Sequence, residues 1–178
     1  MNKKKNSLNK IPVSDFQSVS SKLPTTKVQN QKVIFSFERF KCISIKNKQF
    51  NNCFASINAY VKWSTLLFQR LQKFSENTVP ELKKAGTSTR CHSVTGNTLI
   101  KLKDILKESG LDIDINEQLE EYWELSLGTS SGRIFGYFIS NVYYIILFDP
   151  HHLIYPKLEY GAQHDLLYNN YDPWNEIS

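Results

Sequence analysis

The chain has 178 residues, of which 40% are hydrophobic and 22% charged, and it carries a net charge of +5. This length suits one well-buried domain with an appendage and is too short for two ordinary domains, and the composition excludes wholesale disorder. The charge is uneven, because residues 1–48 contain eleven Lys or Arg against two acids, a net +9. The other 130 residues carry eleven basic residues against fifteen acids, a net −4. A basic segment of this kind is typical of contact with nucleic-acid phosphates or an acidic partner, or of a solubilising tail.

Cysteine usage and the N-terminal sequence indicate the compartment. The three cysteines have no CxxC spacing, which disfavours both a disulfide framework and a zinc knuckle and fits a reducing environment. The first ten residues, MNKKKNSLNK, are basic but lack the apolar stretch of a secretory signal. The longest apolar run, residues 142–148, is too short to span a bilayer. We therefore expect a soluble cytoplasmic protein with no cofactor and no membrane partner.

Three segments are predicted along the chain. Residues 1–31 are rich in Ser, Asn, Lys and Gln, and we expect a basic, extended or disordered arm. A single α+β domain is predicted over 32–160, and residues 161–178 form a polar, aromatic tail. The domain begins with a predicted strand at 32–40, where apolar and polar residues alternate.

Helices are predicted next. Between residues 55 and 74 the apolar residues recur at helical spacing without Pro or Gly, and the predicted buried face comprises Ile57, Val61, Ser64, Leu67, Phe68, Leu71 and Phe74. A short helix is expected after Thr78, an N-cap candidate followed by Pro80. A third helix is predicted over 98–110, where Gly110 provides the stop.

The C-terminal part predicts an antiparallel meander. WELSL (123–127), RIFGYFI (133–139) and VYYIILF (142–148) read as strands, and the last two are joined by a two-residue loop at Ser140-Asn141. We predict a small antiparallel sheet, made of this meander plus the N-terminal strand, with helices packed on one face. The last two strands are apolar at nearly every position, so we expect the other face to be covered by the arm, the tail or a partner.

Polar residues flank this apolar hairpin at its open end. Pairing through the Ser140-Asn141 loop places Arg133 opposite Phe148 and Asp149, close to His151, His152 and Tyr155. An arginine over a phosphate and a histidine of near-neutral pKa suit phosphodiester cleavage by 2′-hydroxyl attack. The alternative is structural: Arg133 pairs with Asp149, the segment DPHH (149–152) is a turn with a capped aspartate, and His152 is a half-buried packing residue.

Other basic residues are candidates for nucleic-acid contact. Arg90 and His92 form a second polar cluster in the segment TRCHS, on a loop or an edge strand, with surface solubility as the alternative reading. The remaining candidates are lysines of the arm, namely Lys3, Lys4, Lys5, Lys10, Lys22 and Lys27. No metal site is expected, because the His and Cys residues have no ligand spacing.

The segments TRCHS, EYWELSL, GRIFGYFI, VYYIILF and HHLIY resemble the C-terminal half of RelE-superfamily toxins, especially the YoeB-like branch. The resemblance implies a RelE-like fold that cleaves mRNA. Arg133 would stabilise the phosphate, His151 or His152 would act as the acid, and Tyr155 would position the RNA. The family's acidic general base has no clear match, since Glu117, Glu120, Glu121 and Glu124 all precede the arginine strand.

The same C-terminal stretch resembles an uncharacterised bacterial group whose tail runs GRVxGFxIxNVFYIVxxDPxHxLYP and which occurs in mobile-element and phage-defence settings. We therefore expect an accessory protein of a CRISPR-type defence or mobile-element system, which binds RNA or a ribonucleoprotein nuclease through its basic arm. One alternative is a metal-independent endoribonuclease toxin of the RelE kind. The other is a protein–protein interaction module, such as a homodimer, that uses the apolar sheet.

Overall fold

The computed structural model describes residues 30–84, 90–111, 121–128, 131–155 and 169–176. Helices and strands over these residues confirm the α+β class, in the order β1 Ile34–Ser36, α1 Ile57–Ser75, α2 Val79–Lys83, β2 Cys91–Ser93, α3 Gly96–Glu108, β3 Trp123–Ser126, β4 Arg133–Ile139 and β5 Val142–Asp149. The predicted arm lies outside the described residues except for its last two, as does most of the predicted tail.

The five strands form one sheet in the order β1-β5-β4-β3-β2. The predicted meander is confirmed, because β2 to β5 pair in antiparallel fashion along the chain. The N-terminal strand joins this sheet as expected, but β1 runs parallel to β5, so the sheet is mixed and not purely antiparallel. A parallel pair needs a long crossover connection. The chain supplies one here, since all three helices lie between β1 and β5.

The β4–β5 hairpin turns where the sequence predicts. Ile139 pairs with Val142, which leaves Ser140 and Asn141 as the two-residue loop. It is Ser140, with φ of 58°, that adopts the left-handed conformation. The Asn141 side chain instead donates to the backbone carbonyl of Lys32 at 2.9 Å, which fastens the loop to the segment entering β1.

Helices cover both faces of the sheet, contrary to the one-faced packing that we predicted. Neighbouring residues of a strand point to opposite faces. Ile134 belongs to a buried cluster that includes α1 and α2 residues, whereas Phe135 belongs to a second cluster built on Leu102 and Ile105 of α3. The apolar character of both strand faces therefore has its explanation within the chain, and it does not require a partner.

Helix α1 is rotated relative to the predicted face. Its buried residues are Trp63, Leu67, Leu71 and Phe74. The residues Ile57, Val61 and Phe68, which we expected in the core, are more than half exposed. Trp63 accounts for the rotation, because its ring packs between Phe54 and Phe148 at centroid distances of 5.3 and 5.5 Å. Burial of the largest apolar surface favours the orientation that places this indole inside.

Candidate functional site

The candidate site lies at the open end of the β4–β5 hairpin, by which we mean residues 132–133 and 149–152. Arg133 is the first residue of β4 and pairs with Asp149 across the ladder, as the sequence predicts. Gly132 has φ of +93°, and a Cβ atom there would collide with the backbone of Asp149 and Pro150. Glycine is therefore required at position 132 for the two strands to approach so closely.

Arg133 connects three segments of the chain. Its Nη1 donates to the Ser126 hydroxyl of β3 at 2.8 Å and to the Gly132 carbonyl at 3.1 Å. The same atom lies 3.1 Å from Nε2 of His152, beyond β5. Nε is buried and makes no hydrogen bond among the described residues, but it lies 3.4 Å from a carboxylate oxygen of Glu124. Arg133 and Glu124 thus form an ion pair in which each side chain is 12% exposed.

Glu124 is the acidic residue beside Arg133, and the sequence pattern did not distinguish it from Glu117, Glu120 and Glu121. It lies on β3 opposite Phe135, which places its side chain on the same sheet face as that of Arg133. Burial raises the pKa of Glu124, and the positive charge of Arg133 partly opposes this rise. Burial likewise lowers the pKa of Arg133, and the Glu124 charge opposes that change. A carboxyl group with a raised pKa beside an arginine is an arrangement suited to proton transfer.

The two adjacent histidines diverge, which answers which of them faces Arg133. The arginine side chain only donates hydrogen bonds, so Nε2 of His152 is the acceptor in this contact. His152 reaches this position through a φ of 59°. His151 points to the α1 side, where its Nε2 donates to the Cys53 carbonyl at 2.6 Å. Burial lowers the pKa of His151.

Although Asp149 is the ladder partner of Arg133, its carboxylate forms no ion pair with that arginine, which corrects one part of the structural alternative; the other part, a turn capped by the aspartate, is confirmed. Its carboxylate accepts backbone N–H groups of His151, Leu153 and Ile154 at 3.2, 3.0 and 2.8 Å. Asp149 is fully buried, and this burial raises its pKa against the opposing effect of these hydrogen bonds. Its structural task is therefore to fix the turn that separates the two histidines.

The second predicted cluster joins the first. His92 of β2 is exposed and pairs directly with Glu124 across the ladder, so the two side chains share a face. Arg90 is also exposed, and its charge lies near enough to contribute to the lowered pKa of Arg133. Tyr155 is half exposed at the end of a described range. The six candidate lysines of the arm, Lys3 to Lys27, lie outside the described residues.

The arrangement offers groups that can take part in acid–base chemistry. Across the part of the chain that the structure describes, no group of His, Cys, Asp and Glu residues is placed to hold a metal ion. What the site offers is a guanidinium, a carboxyl of raised pKa and an exposed imidazole on one sheet face.

None of the described helices is long and apolar enough to cross a membrane.

Comparison with known proteins gave a family without an assigned activity. The family model described as uncharacterised protein UU032 matches residues 36–177. This range includes the last residue of β1, all of β2 to β5, the candidate site and nearly all of the predicted tail, and it leaves out the whole basic arm. Searches of curated proteins and of solved structures gave no match. The resemblance to RelE-type toxins therefore stays a prediction.

Proposed function

The chain belongs to the family of uncharacterised protein UU032, whose name assigns no chemistry, and we propose from the site itself that it is a metal-independent endoribonuclease. The observation that carries the proposal is the partly buried Glu124–Arg133 pair, with the exposed His92 paired to Glu124 across the ladder. A base of shifted pKa, a fixed cation and a second titratable group are what cleavage by 2′-hydroxyl attack requires.

Each residue has a defined task in this reaction. Glu124, as carboxylate, takes the proton of the 2′-hydroxyl, and the oxygen attacks phosphorus. Arg133 stabilises the negative charge that develops on the phosphate oxygens. Protonated His92 donates a proton to the departing 5′ oxygen as the P–O bond breaks. The products are a 2′,3′-cyclic phosphate and a 5′-hydroxyl. His152, whose Nε2 accepts from Arg133, acts as a positioning residue and not as the acid.

Cleavage of a single-stranded RNA by the purified protein tests this proposal. Glu124→Gln retains the shape of the side chain but removes the base, so we expect a rate about 10²- to 10⁴-fold lower. His92→Gln should lower the rate in the same range, and mass spectrometry of the wild-type products should show the cyclic phosphate. Glu121→Gln is the matched control, because this exposed acid lies outside β3 and should leave the rate unchanged. Equal rates for the Glu124 and Glu121 variants would refute the assignment.

Binding without cleavage is the second candidate, as an RNA- or ribonucleoprotein-binding accessory protein of a defence or mobile-element system. The observation that favours it is the +9 charge of residues 1–48. Five of these basic residues are described, and all are exposed, namely Lys32, Arg39, Lys41, Lys46 and Lys48. A surface of this kind attracts phosphates whatever the sequence of the nucleic acid.

Removal of residues 1–31 tests this second function. RNA affinity should fall, and the slope of log affinity against log salt should become shallower by about 0.7 for each lost phosphate contact. A variant with the same arm residues in scrambled order is the control and should bind like wild type, since the attraction depends on charge. An unchanged salt slope after the deletion would contradict a role for the arm.

A further inference from the structure

A pocket of about 340 Å³ opens on the side of the sheet opposite Arg133. Its lining includes Phe54, Lys62, Trp63, Leu66, His151 and Asn169. Such a volume lies at the lower end of the range of small-molecule sites, about 300–1,000 Å³. The pocket is thus suited to a ligand of the size of one nucleotide, and it is distinct from the Glu124–Arg133 pair.

Three aromatic side chains line the pocket, namely Phe54, Trp63 and His151. Phe54 and Trp63 are buried, at 2% and 8% exposure, and the His151 ring lies 5.5 Å from Phe54 in an edge-on arrangement. The partly exposed His151 ring is the surface on which a base of a single-stranded nucleic acid can stack, because every base has a flat π face. His151 is held in place by its bond to the Cys53 carbonyl, so this wall is already formed.

Polar groups line the same pocket. Lys62 is an exposed residue of α1 and supplies a positive charge. The Asn169 side-chain amide lies 3.3 Å from Nε2 of His151, and amides of this type read the edges of bases. An apolar wall with one cation and an amide matches a planar base attached to a phosphate, and it matches a purely aliphatic ligand poorly.

The pocket and the candidate active site share both strands of the open end. Ser131 lines the pocket, and Arg133 follows two residues later. Pro150 and His151 line it as well, and His152 contacts Arg133. An RNA strand that passes over the end of the hairpin can therefore contact both places.

We propose that this pocket binds the base of one RNA nucleotide adjacent to the phosphate that Arg133 contacts, with Lys62 on a neighbouring phosphate. The inference rests on the proposed ribonuclease function and adds a specificity pocket to it. The pocket would favour unpaired RNA, because a base held in a helix cannot stack on the pocket wall without leaving its own stack.

Calorimetric titration with adenosine and uridine 5′-monophosphates, and with a short oligouridine, tests the pocket separately from cleavage. We expect both kinds of ligand to bind, and affinity to fall about tenfold or more in Lys62→Glu and in Ala59→Phe. Ala59 lines the pocket, so the added ring occupies the space of the base. Lys73→Glu, at an exposed position of the same helix, is the matched control and should bind like wild type. Glu124→Gln should bind normally while failing to cleave.

The outcomes separate the two proposals. Cleavage that depends on Glu124 but is unaffected by Lys62→Glu, with no mononucleotide binding, would overturn the pocket and leave the ribonuclease assignment. Mononucleotide binding that is lost in the pocket variants, without any Glu124-dependent cleavage, would overturn the ribonuclease. Mononucleotide binding with oligouridine affinity unchanged in the pocket variants would overturn the assignment to an RNA base and indicate a site for free nucleotides.

Discussion

The middle of the β4–β5 hairpin and its open end are adjacent in sequence but differ in the side chains that they bury. The middle buries apolar side chains, and the open end buries charged ones. In the middle, Ile134, Phe135 and Ile145 are fully buried between the helices, and the hydroxyl of Tyr143 reaches the Trp123 carbonyl at 2.8 Å. At the open end, Arg133 and its partner Glu124 on β3 are partly buried, and burial shifts the pKa of each in the direction that favours the neutral form. Burial stabilises the first region and opposes ionisation in the second.

This difference in the effect of burial distinguishes a candidate site from a hydrophobic core. A partly buried ion pair contributes little net stability, because removing two charges from water costs about as much as their attraction returns. Perturbed titratable groups gather at functional sites more often than elsewhere. The open end therefore has the properties of a site, whereas the middle of the hairpin has those of a core.

The largest expected effect lies in the middle of the hairpin. Phe135→Ala removes a fully buried ring from the α3-side cluster and should lower the free energy of unfolding by about 3–5 kcal/mol. Urea denaturation followed by circular dichroism measures this change. Phe68→Ala is the control, since 67% of Phe68 is exposed on α1, and it should change stability by less than about 0.5 kcal/mol. Similar losses in both variants would mean that α1 is oriented as the sequence periodicity predicts.

The local sequence pattern was sufficient to predict the middle of the β4–β5 hairpin. It was not sufficient to predict the contact between Glu124 of β3 and Arg133 of β4. The turn at Ser140-Asn141 follows from two apolar runs separated by two residues. That turn alone would pair Arg133 with Phe148, and the register shift between Phe135 and Gly136 moves its partner to Asp149. The partnership of Glu124 with Arg133 depends on the register of β3 against β4, which no local pattern fixes. The alternation in WELSL does place Glu124 and Ser126 on one face, and that signal was available.

Backbone conformation limited the prediction at the histidines in a different way. His151 and His152 follow Pro150, and strand alternation no longer applies beyond it. Their divergence arises from the positive φ of His152 and from the turn that Asp149 fixes. Neither feature has a sequence signature that distinguishes the two residues. The orientation of α1 was predicted wrongly because Trp63, which is buried, does not belong to the apolar face that the periodicity defines.

A smaller loss of stability is expected for a substitution of Arg133 at the open end. Its size should depend on whether Glu124 is still present. Arg133→Met leaves the Glu124 carboxylate buried without its cation, which should cost about 3 kcal/mol, the lower end for a broken buried pair. The double variant Arg133→Met/Glu124→Met removes both charges and should recover most of this loss. Urea denaturation of the four proteins in the cycle measures the coupling. Strictly additive losses would show that the two residues do not act as a pair.

The smallest expected effect is on the pH dependence of stability, and it concerns the contribution of Glu124 alone. The folded pKa of Glu124 is raised above its ordinary 4.5, so the folded protein binds more protons than the unfolded chain between these two values. The contribution of Glu124 to stability therefore falls as the pH rises from about 4.5 through the raised pKa. Asp149 shifts in the same direction, whereas the lowered pKa of His151 makes stability rise with pH as the pH approaches 6.5. Asp149 and His151 are present in both wild type and Glu124→Gln, so their contributions cancel in the difference between the two unfolding free energies. That difference should decrease steadily with pH, and an increase would mean that the attraction of Arg133 outweighs the burial of Glu124.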